Sequence, residues 1–278
     1  MGGFKLKSIF IYSTCQGDAI AKILMDNDNV NRYFRICKIV RNYEYIKKSK
    51  HWIDDSNNLN ALKNSDVLIY QPLDDIYGKN STNQILKFIK PECIKISVPY
   101  VFNNSLTPII VGNLGDTTDD WSRLDAHIRH IKNTDPIDNL ISIGIKRDEI
   151  LRMYDSDTID WKYNERNTFM MSYLRNKEKL TDIKICDYIE ENFKTKKLFA
   201  YYSHPTSDLL VYIINQILEI LSINKILNKY SEERFLGSCN LFYYSTSSVN
   251  HFGLKYVSKE EMDIGDKFYR DIITKYIK

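Results

Sequence analysis

The stretch SIFIYSTCQGDAIAKIL, residues 8–24, contains the change of pattern that decides the fold. It opens with an apolar run of the kind found in buried strands and ends with apolar residues at helical spacing, Ile20, Ile23 and Leu24. A turn of five residues joins the two patterns, and its central residue is Cys15. A strand that passes directly into a helix predicts the first half of a βαβ unit.

The same alternation continues through the first hundred residues. Further apolar runs occupy residues 34–40, 66–70 and 94–98, and helical patterns occupy residues 59–62 and 81–89. Short apolar strands that alternate with helices are typical of a parallel sheet covered by helices. The sequence therefore predicts an α/β fold with a short parallel sheet.

The remainder of the chain is mainly helical in pattern. Residues 103–140 are polar and predict a long loop, and residues 157–179 include a long helix. A fifth strand-like run at 198–202 precedes the clearest helix, at 205–223. We expect residues 1–110 to form an α/β subdomain with the Cys15 turn. Residues 111–278 form a mainly helical part that completes the site with His204, within one integrated domain.

Composition excludes several classes of protein. A net charge of +3 over 278 residues gives no electrostatic reason to expect nucleic acid as a partner. Five scattered cysteines without a CxxC pair indicate no disulfide or zinc framework. No apolar stretch is long enough to span a bilayer, and residues 1–13 do not have the pattern of a signal peptide. We expect a reduced, cytoplasmic protein.

Reactive and polar side chains follow the predicted strands at the edge where ligands bind in open parallel sheets. They include a nucleophile candidate, a base candidate, two amides and a tyrosine. The residues are Thr14, Cys15, Gln16 and Gly17, then Gln71 and Pro72, then Pro99, Tyr100 and Phe102, then Ser203, His204 and Pro205.

Cys15 is the candidate nucleophile. A thiol at a helix N-terminus faces unpaired backbone N–H groups and the positive end of the helix dipole, and both favour the reactive thiolate. The same N–H groups can stabilise an oxyanion, and Gly17 lets the backbone approach a ligand closely. The alternative is that Cys15 only fills a small apolar space.

His204 is the candidate base. Pro205 keeps it out of helical geometry, so the imidazole is held between a strand and a helix, although a lone histidine is also common in structural roles. Asp208 either caps the helix or orients the ring. The amides of Gln16 and Gln71 either bind a ligand or satisfy local backbone groups.

Other motifs carry less weight. Asp125, His127 and His130 fit one helix face poorly, so we interpret them as a solvated helix and expect no metal. Cys239 follows no strand-to-helix turn and is interpreted as structural. No Walker A, GxGxxG or GxSxG pattern occurs.

The order of these motifs resembles the WcbI-type capsular-polysaccharide biosynthesis proteins. The Ser13-Thr14-Cys15-Gln16-Gly17 turn resembles their GNCQ turn, with Ser-Thr in place of Gly-Asn. The later segments agree in order over roughly residues 7–222. They are Asp66-Val67-Leu68-Ile69-Tyr70-Gln71, Val98-Pro99-Tyr100, Ser172-Tyr173-Leu174-Arg175 with Glu178, and Leu198-Phe199 leading to Ser203-His204-Pro205.

The resemblance implies an α/β core distantly like SGNH hydrolases, with a flavodoxin-like sheet, and a protein that binds coenzyme A. It implies a cytoplasmic bacterial acetyltransferase in capsule or surface polysaccharide biosynthesis, with acyl-CoA and a sugar or glycan acceptor as partners. Cys15 and His204 match the hydrolase nucleophile and base, but Tyr201 stands where an aspartate is usual.

We expect the substrate and coenzyme A to be bound by Thr14, Gln16, Gly17, Gln71, Pro99, Tyr100 and Arg175. Cys15 either carries the acyl group or lines the donor's pocket. Two alternatives remain open: an esterase or thioesterase with the same pair, and a non-catalytic protein that binds a nucleotide-sugar or glycan. An oligomer is possible.

Overall fold

The structure is a computed structural model, and it describes residues 6–108, 136–226, 230 and 243–276. The chain divides into two compact units. The first unit comprises Met1–Phe102, Tyr173–Glu191 and Leu198–Cys239, and the second comprises Asn103–Ser172, Asn192–Lys197 and Asn240–Lys278. Cys15 and His204 both belong to the first unit. The boundary near residue 110 stays a prediction.

Four parallel strands form the sheet of the first unit, in the order β2-β1-β3-β4. They are β1 (Lys7–Ser13), β2 (Phe34–Arg41), β3 (Val67–Tyr70) and β4 (Ile94–Ser97). Each coincides with one of the apolar runs of the sequence, so the predicted α/β class is confirmed.

Short helices connect these strands. They are α1 (Gln16–Met25), α2 (Asp28–Asn31), α3 (Asn42–Lys47), α4 (Ser56–Lys63) and α5 (Thr82–Ile85), with 3₁₀ turns at Trp52–Asp54 and Asp75–Asn80. Asn27 and Asp55 begin α2 and α4, and their side chains accept hydrogen bonds from the free backbone N–H groups. The predicted helix at 81–89 is shorter in the structure.

The central strands of the sheet, β1 and β3, are largely buried on both faces, as is usual in parallel sheets. On one face, Phe10 and Tyr12 pack with Trp52 and Leu62 in a cluster of fully buried side chains. On the other face, α1 lies so close to β1 that a β-carbon on Gly17 would be 2.7 Å from Ser13 Cβ. Glycine at this position therefore permits the close contact between helix and strand.

The later elements are mostly helical. They are α6 (Pro136–Ser142), α7 (Arg147–Asp155), α8 (Tyr163–Glu178), α9 (Cys186–Asn192), β5 (Phe199–Tyr201), β6 (His204–Pro205), α10 (Ser207–Ile220), α11 (Thr246–Phe252) and α12 (Lys259–Tyr276). The predicted loop at 103–140 overlaps α6, which begins at Pro136, where proline suits the first turn. Asp125, His127, His130 and Cys239 lie outside the described residues.

The predicted fifth strand is half of a separate hairpin. β5 and β6 pair antiparallel around a two-residue turn and form their own sheet. Pro205 lies in β6, so its expected place at the start of the helix is wrong. Thr206 is the N-cap of α10 instead. Proline has no N–H to donate to a strand ladder, and it is tolerated here because β6 is only two residues long.

None of the helices in the described part of the chain combines the length and apolarity that a bilayer crossing requires.

Candidate active site

The strand order places a topological switch point between β1 and β3. The chain leaves β1 toward β2 on one side and later adds β3 on the other side, so the connections diverge where these two strands end. Ligands of open α/β sheets bind in the crevice at such a point. The Cys15 turn follows β1 directly, and the backbone N–H of Gln71, just after β3, donates to the Tyr12 carbonyl at 3.0 Å.

Cys15 occupies the N-cap of α1 but makes no side-chain cap hydrogen bond. Its Sγ lies 3.5 Å from Nε2 of His204, within reach of a thiol–imidazole hydrogen bond. The side chain is partly exposed. A partly exposed thiol at a helix N-terminus and against an imidazole is in an environment typical of a reactive cysteine.

The β5–β6 hairpin carries His204. The Ser203 Oγ lies 3.3 Å from Nδ1, the ring nitrogen that faces away from the thiol. If Nδ1 carries the hydrogen and donates it to Ser203, Nε2 is left as the acceptor for the Cys15 proton. Burial lowers the pKa of His204 from its usual 6.5, which favours the neutral ring, the form able to accept a proton, at neutral pH.

Gln16 and Gln71 form a pair of buried amides behind Cys15. The Gln71 Nε2 donates to Gln16 Oε1 at 2.7 Å and to the Pro99 carbonyl at 3.4 Å. The Gln16 Nε2 donates to the carbonyls of Val101 and Ser203, both at 2.7 Å. Both N–H groups of each amide are therefore donated within the protein. A direct ligand contact by either stays a prediction.

Thr14 is tied to the same network. Gln71 Oε1 accepts hydrogen bonds from the Thr14 N–H at 3.0 Å, from Thr14 Oγ1 at 2.9 Å and from Ser13 Oγ at 2.7 Å. The N–H of Gly17 donates to the Thr14 carbonyl at 3.0 Å. The N–H of Gln16 makes only a long contact, 3.4 Å, with Thr14 Oγ1. That N–H is the more available donor for an oxyanion.

Aromatic residues follow the end of β4, and another lies in the turn of the hairpin. Tyr100, after Pro99, stacks on Phe102 with 6.2 Å between ring centroids, and Phe102 contacts Tyr202 at 5.2 Å. Tyr202 is two residues before His204. The structure therefore brings Thr14, Cys15, Gln16, Gly17, Gln71, Pro99 and His204 together through direct contacts, and Tyr100 extends an aromatic row beside them.

Arg175 makes different contacts. It lies on α8, and its guanidinium forms ion pairs with Asp187 at 2.9 Å and Glu190 at 2.5 Å. These carboxylates hold the pKa of Arg175 above its usual range. Its expected role in binding coenzyme A stays a prediction.

Tyr43 is a residue that the sequence reasoning missed. It lies on α3, immediately after β2, and burial raises the pKa of its hydroxyl, with a smaller contribution from negative charge on Cys15. An electrostatic effect of this kind requires that the two side chains be near each other. The signal was available, because the end of β2 belongs to the same sheet edge as the other strand ends.

Two open clefts lie elsewhere in the described chain. One, of about 550 Å³, is lined by residues of the second unit, including Trp161 and His251. The other, of about 590 Å³, is lined by several residues between Glu44 and Asp55, including Tyr45 and His51. Neither includes Cys15 or His204, so cleft size does not identify the reactive pair. Within the described residues, no three His, Cys, Asp or Glu side chains cluster as metal ligands do.

Comparison with known proteins identifies the family. A solved structure of WcbI, "a novel polysaccharide biosynthesis enzyme", aligns over 98% of this chain and 96% of that chain, with a TM-score of 0.60 and 16% sequence identity. Its description specifies the native protein without a disulfide bond between coenzyme A and a cysteine. No curated protein matches the chain. The sequence model described as "Polysaccharide biosynthesis enzyme WcbI" matches residues 8–225. The chain therefore belongs to the WcbI family of polysaccharide biosynthesis enzymes.

Proposed function

We propose that this enzyme transfers an acyl group, in the first instance acetyl, from acyl-CoA to a sugar hydroxyl in capsular or surface polysaccharide biosynthesis. The observation that carries the proposal is the 3.5 Å approach of Cys15 Sγ to His204 Nε2 at the switch point of the sheet. A nucleophile beside a neutral base is the arrangement that acyl transfer through a covalent intermediate requires. Coenzyme A as donor is supported by the description of the WcbI structure.

In the first half-reaction, Cys15 attacks the thioester carbonyl carbon of the donor while its proton passes to His204 Nε2. The carbon–sulfur bond to coenzyme A then breaks, and the departing thiolate takes the proton from His204. Cys15 is left carrying the acyl group as a thioester. The backbone N–H of Gln16 is the proposed oxyanion donor, because its contact with Thr14 Oγ1 is long.

In the second half-reaction, a sugar hydroxyl attacks the acyl-Cys15 carbonyl and gives its proton to His204. The bond to the Cys15 sulfur breaks, and the thiolate recovers that proton. The products are coenzyme A and an acylated sugar, and the enzyme is unchanged. We assign this reaction to the cytoplasm, since its donor is a cytoplasmic metabolite.

Tyr43 and Tyr100 are the proposed walls of the substrate site, and Arg175 is the proposed contact for the phosphates of coenzyme A. Exposed ion pairs contribute little free energy, so a phosphate can replace the carboxylates of Asp187 and Glu190. Arginine to alanine at 175 should then raise the Kd for coenzyme A about tenfold, the loss expected for one charged hydrogen bond.

The test combines binding with turnover. Coenzyme A and acetyl-CoA should raise the melting temperature, whereas nucleotide-sugars alone should raise it less. With a panel of sugar acceptors, wild type should release coenzyme A, and both Cys15→Ala and His204→Ala should not. Turnover intact in Cys15→Ala refutes the nucleophile role. Free acetate released without any acceptor identifies a hydrolase instead, and stabilisation by nucleotide-sugars alone identifies a binding protein.

A further inference from the structure

We propose that Gln16 is a positioning residue that holds the His204 imidazole against the Cys15 thiol. The proposal assigns the side-chain amide of Gln16 a role in the geometry of the reactive pair, separate from the role proposed for its backbone N–H. It rests on the proposed function only in taking Cys15 and His204 as that pair.

The contacts of Gln16 use its whole hydrogen-bonding capacity. Its Nε2 donates to Ser203 O and Val101 O, both at 2.7 Å, and its Oε1 accepts from Gln71 Nε2 at 2.7 Å and from Val101 N at 3.1 Å. A carboxamide has two N–H donors and two good acceptor sites, so all four are engaged. The side chain is 3% exposed. Buried amides of this kind lock the segments they join.

The position of these bonds is the decisive feature. Gln16 follows Cys15 in the chain, and its acceptor Ser203 precedes His204. The two reactive residues are 189 positions apart in sequence, yet one side chain joins their immediate neighbours. The described β5–β6 hairpin forms a sheet of its own, so no strand ladder joins it to the four-stranded sheet.

Packing alone gives a coarser restraint. Helix α10, which follows the hairpin, packs against α1, and this places the hairpin near the Cys15 turn. A thiol–imidazole contact at 3.5 Å is lost with a shift of about 1 Å, so the pair needs a direct restraint on the hairpin itself. The Gln16–Ser203 bond at 2.7 Å supplies the finer restraint.

The chemistry of the amide is specific. Leucine at position 16 would leave the Val101 and Ser203 carbonyls without their donor, and glutamate would set carboxylate oxygens against both carbonyls. In either variant the hairpin is released and His204 moves off Cys15. Loss of Gln16 should therefore act on the thiol through His204 and should have no effect where His204 is already absent.

The experiment measures the rate of Cys15 alkylation by iodoacetamide from pH 5 to 9, by peptide mass spectrometry. Wild type is compared with Gln16→Leu, His204→Ala and the double variant. The exposed Cys37 is an internal reference in every sample. Gln216→Leu is the matched control, since Gln216 also holds a backbone segment, with bonds of 2.9 and 2.8 Å to Lys184 N and O.

We expect Gln16→Leu and His204→Ala to alkylate Cys15 at least about tenfold more slowly at pH 7, because the imidazole that accepts the thiol proton is displaced or absent. The double variant should match His204→Ala, and Gln216→Leu should match wild type. Additive effects in the double variant, or an unchanged rate in Gln16→Leu, overturn the proposal. If Gln16→Leu does not fold, Gln16→Asn, whose shorter amide reaches only one partner, should give an intermediate rate. An unchanged rate there also overturns it.

Alkylation requires no coenzyme A. A failure of the proposed function, seen as absence of acetyl-CoA turnover, therefore leaves this test intact. Conversely, additive alkylation rates with normal turnover would reject the role of Gln16 alone.

Discussion

Replacement of Gly17 by alanine tests how closely α1 approaches the first strand. A β-carbon at residue 17 would lie 2.7 Å from Ser13 Cβ, 3.0 Å from Ile11 Cγ2 and 3.2 Å from Ser13 Oγ. The nearest of these atoms is bonded to the backbone of β1, so it cannot rotate away. The helix must move off the strand, and Ser13 must strain its bond to Gln71.

The expected cost follows from two opposing terms. Overpacking of a close contact destabilises the folded state by about 1–3 kcal/mol. Alanine in place of glycine in a helix stabilises it by up to about 1 kcal/mol. Because the nearest contact would be only 2.7 Å, we take the upper part of the overpacking range, about 2–3 kcal/mol, and the net loss in the free energy of unfolding is then about 1–2 kcal/mol. For a chain of this size, that corresponds to a melting temperature lower by roughly 2–8 °C.

Thermal unfolding of a double-mutant cycle isolates the contact. In a Ser13→Gly background, which removes the β-carbon, Gly17→Ala should cost much less. In a Ser13→Ala background, which keeps that carbon but also loses the hydroxyl, the cost should persist. A variant Gly17→Ala that is as stable as wild type, or equal costs in the two backgrounds, would refute this reasoning.

Three further predictions concern titration and packing. Because burial lowers the pKa of His204, the acid limb of the pH–turnover profile should lie below pH 6.5, and a limb at higher pH contradicts this. The free energy of unfolding should also fall as the pH drops below 6.5, because the unfolded chain then binds a proton that the folded chain does not. The pKa of Asp66 is lowered to about 2 by Lys90 and Ser8, so its stabilisation is present above pH 4 and lost as pH falls toward 2. After a discount for partial exposure, Asp66→Asn should cost about 1 kcal/mol at pH 7 and much less at pH 2 in chemical denaturation. An equal cost at both pH values excludes the ion pair as its cause. Gly265→Ala should destabilise more than Gly17→Ala, since its β-carbon would lie 2.1 Å from the Tyr244 carbonyl oxygen, and equal melting temperatures would contradict that.

The sheet and the Cys15 turn could be predicted because their signals are local. The central strands β1 and β3 are largely buried on both faces, so each reads as a continuous apolar run. The thiol follows the first of these runs, where the pattern changes to helical spacing. Ligands of open parallel sheets bind at the carboxyl ends of the strands, so Gln71 and Pro99 could be placed beside Cys15 from the strand ends alone.

The hairpin and the amide network could not be predicted in the same way. A run of three residues at Phe199–Tyr201 does not reveal whether it joins the main sheet, and Pro205 suits a strand end as well as a helix start. The bonds from Gln16 to Val101 and Ser203 join residues 85 and 187 positions apart, and no local pattern encodes them.

Trapping the acyl-enzyme tests the central claim most directly. Wild-type protein is mixed with acetyl-CoA without an acceptor, quenched in acid, and analysed by intact and peptide mass spectrometry, with Cys15→Ser and Cys37→Ser in parallel. We predict one acetyl group on Cys15, removed by hydroxylamine, with one equivalent of coenzyme A released, in wild type and Cys37→Ser. Under the same conditions, His204→Ala should form little acetyl-enzyme and release little coenzyme A. An acetyl group on another residue, or coenzyme A release that is unchanged in Cys15→Ser, would contradict the account.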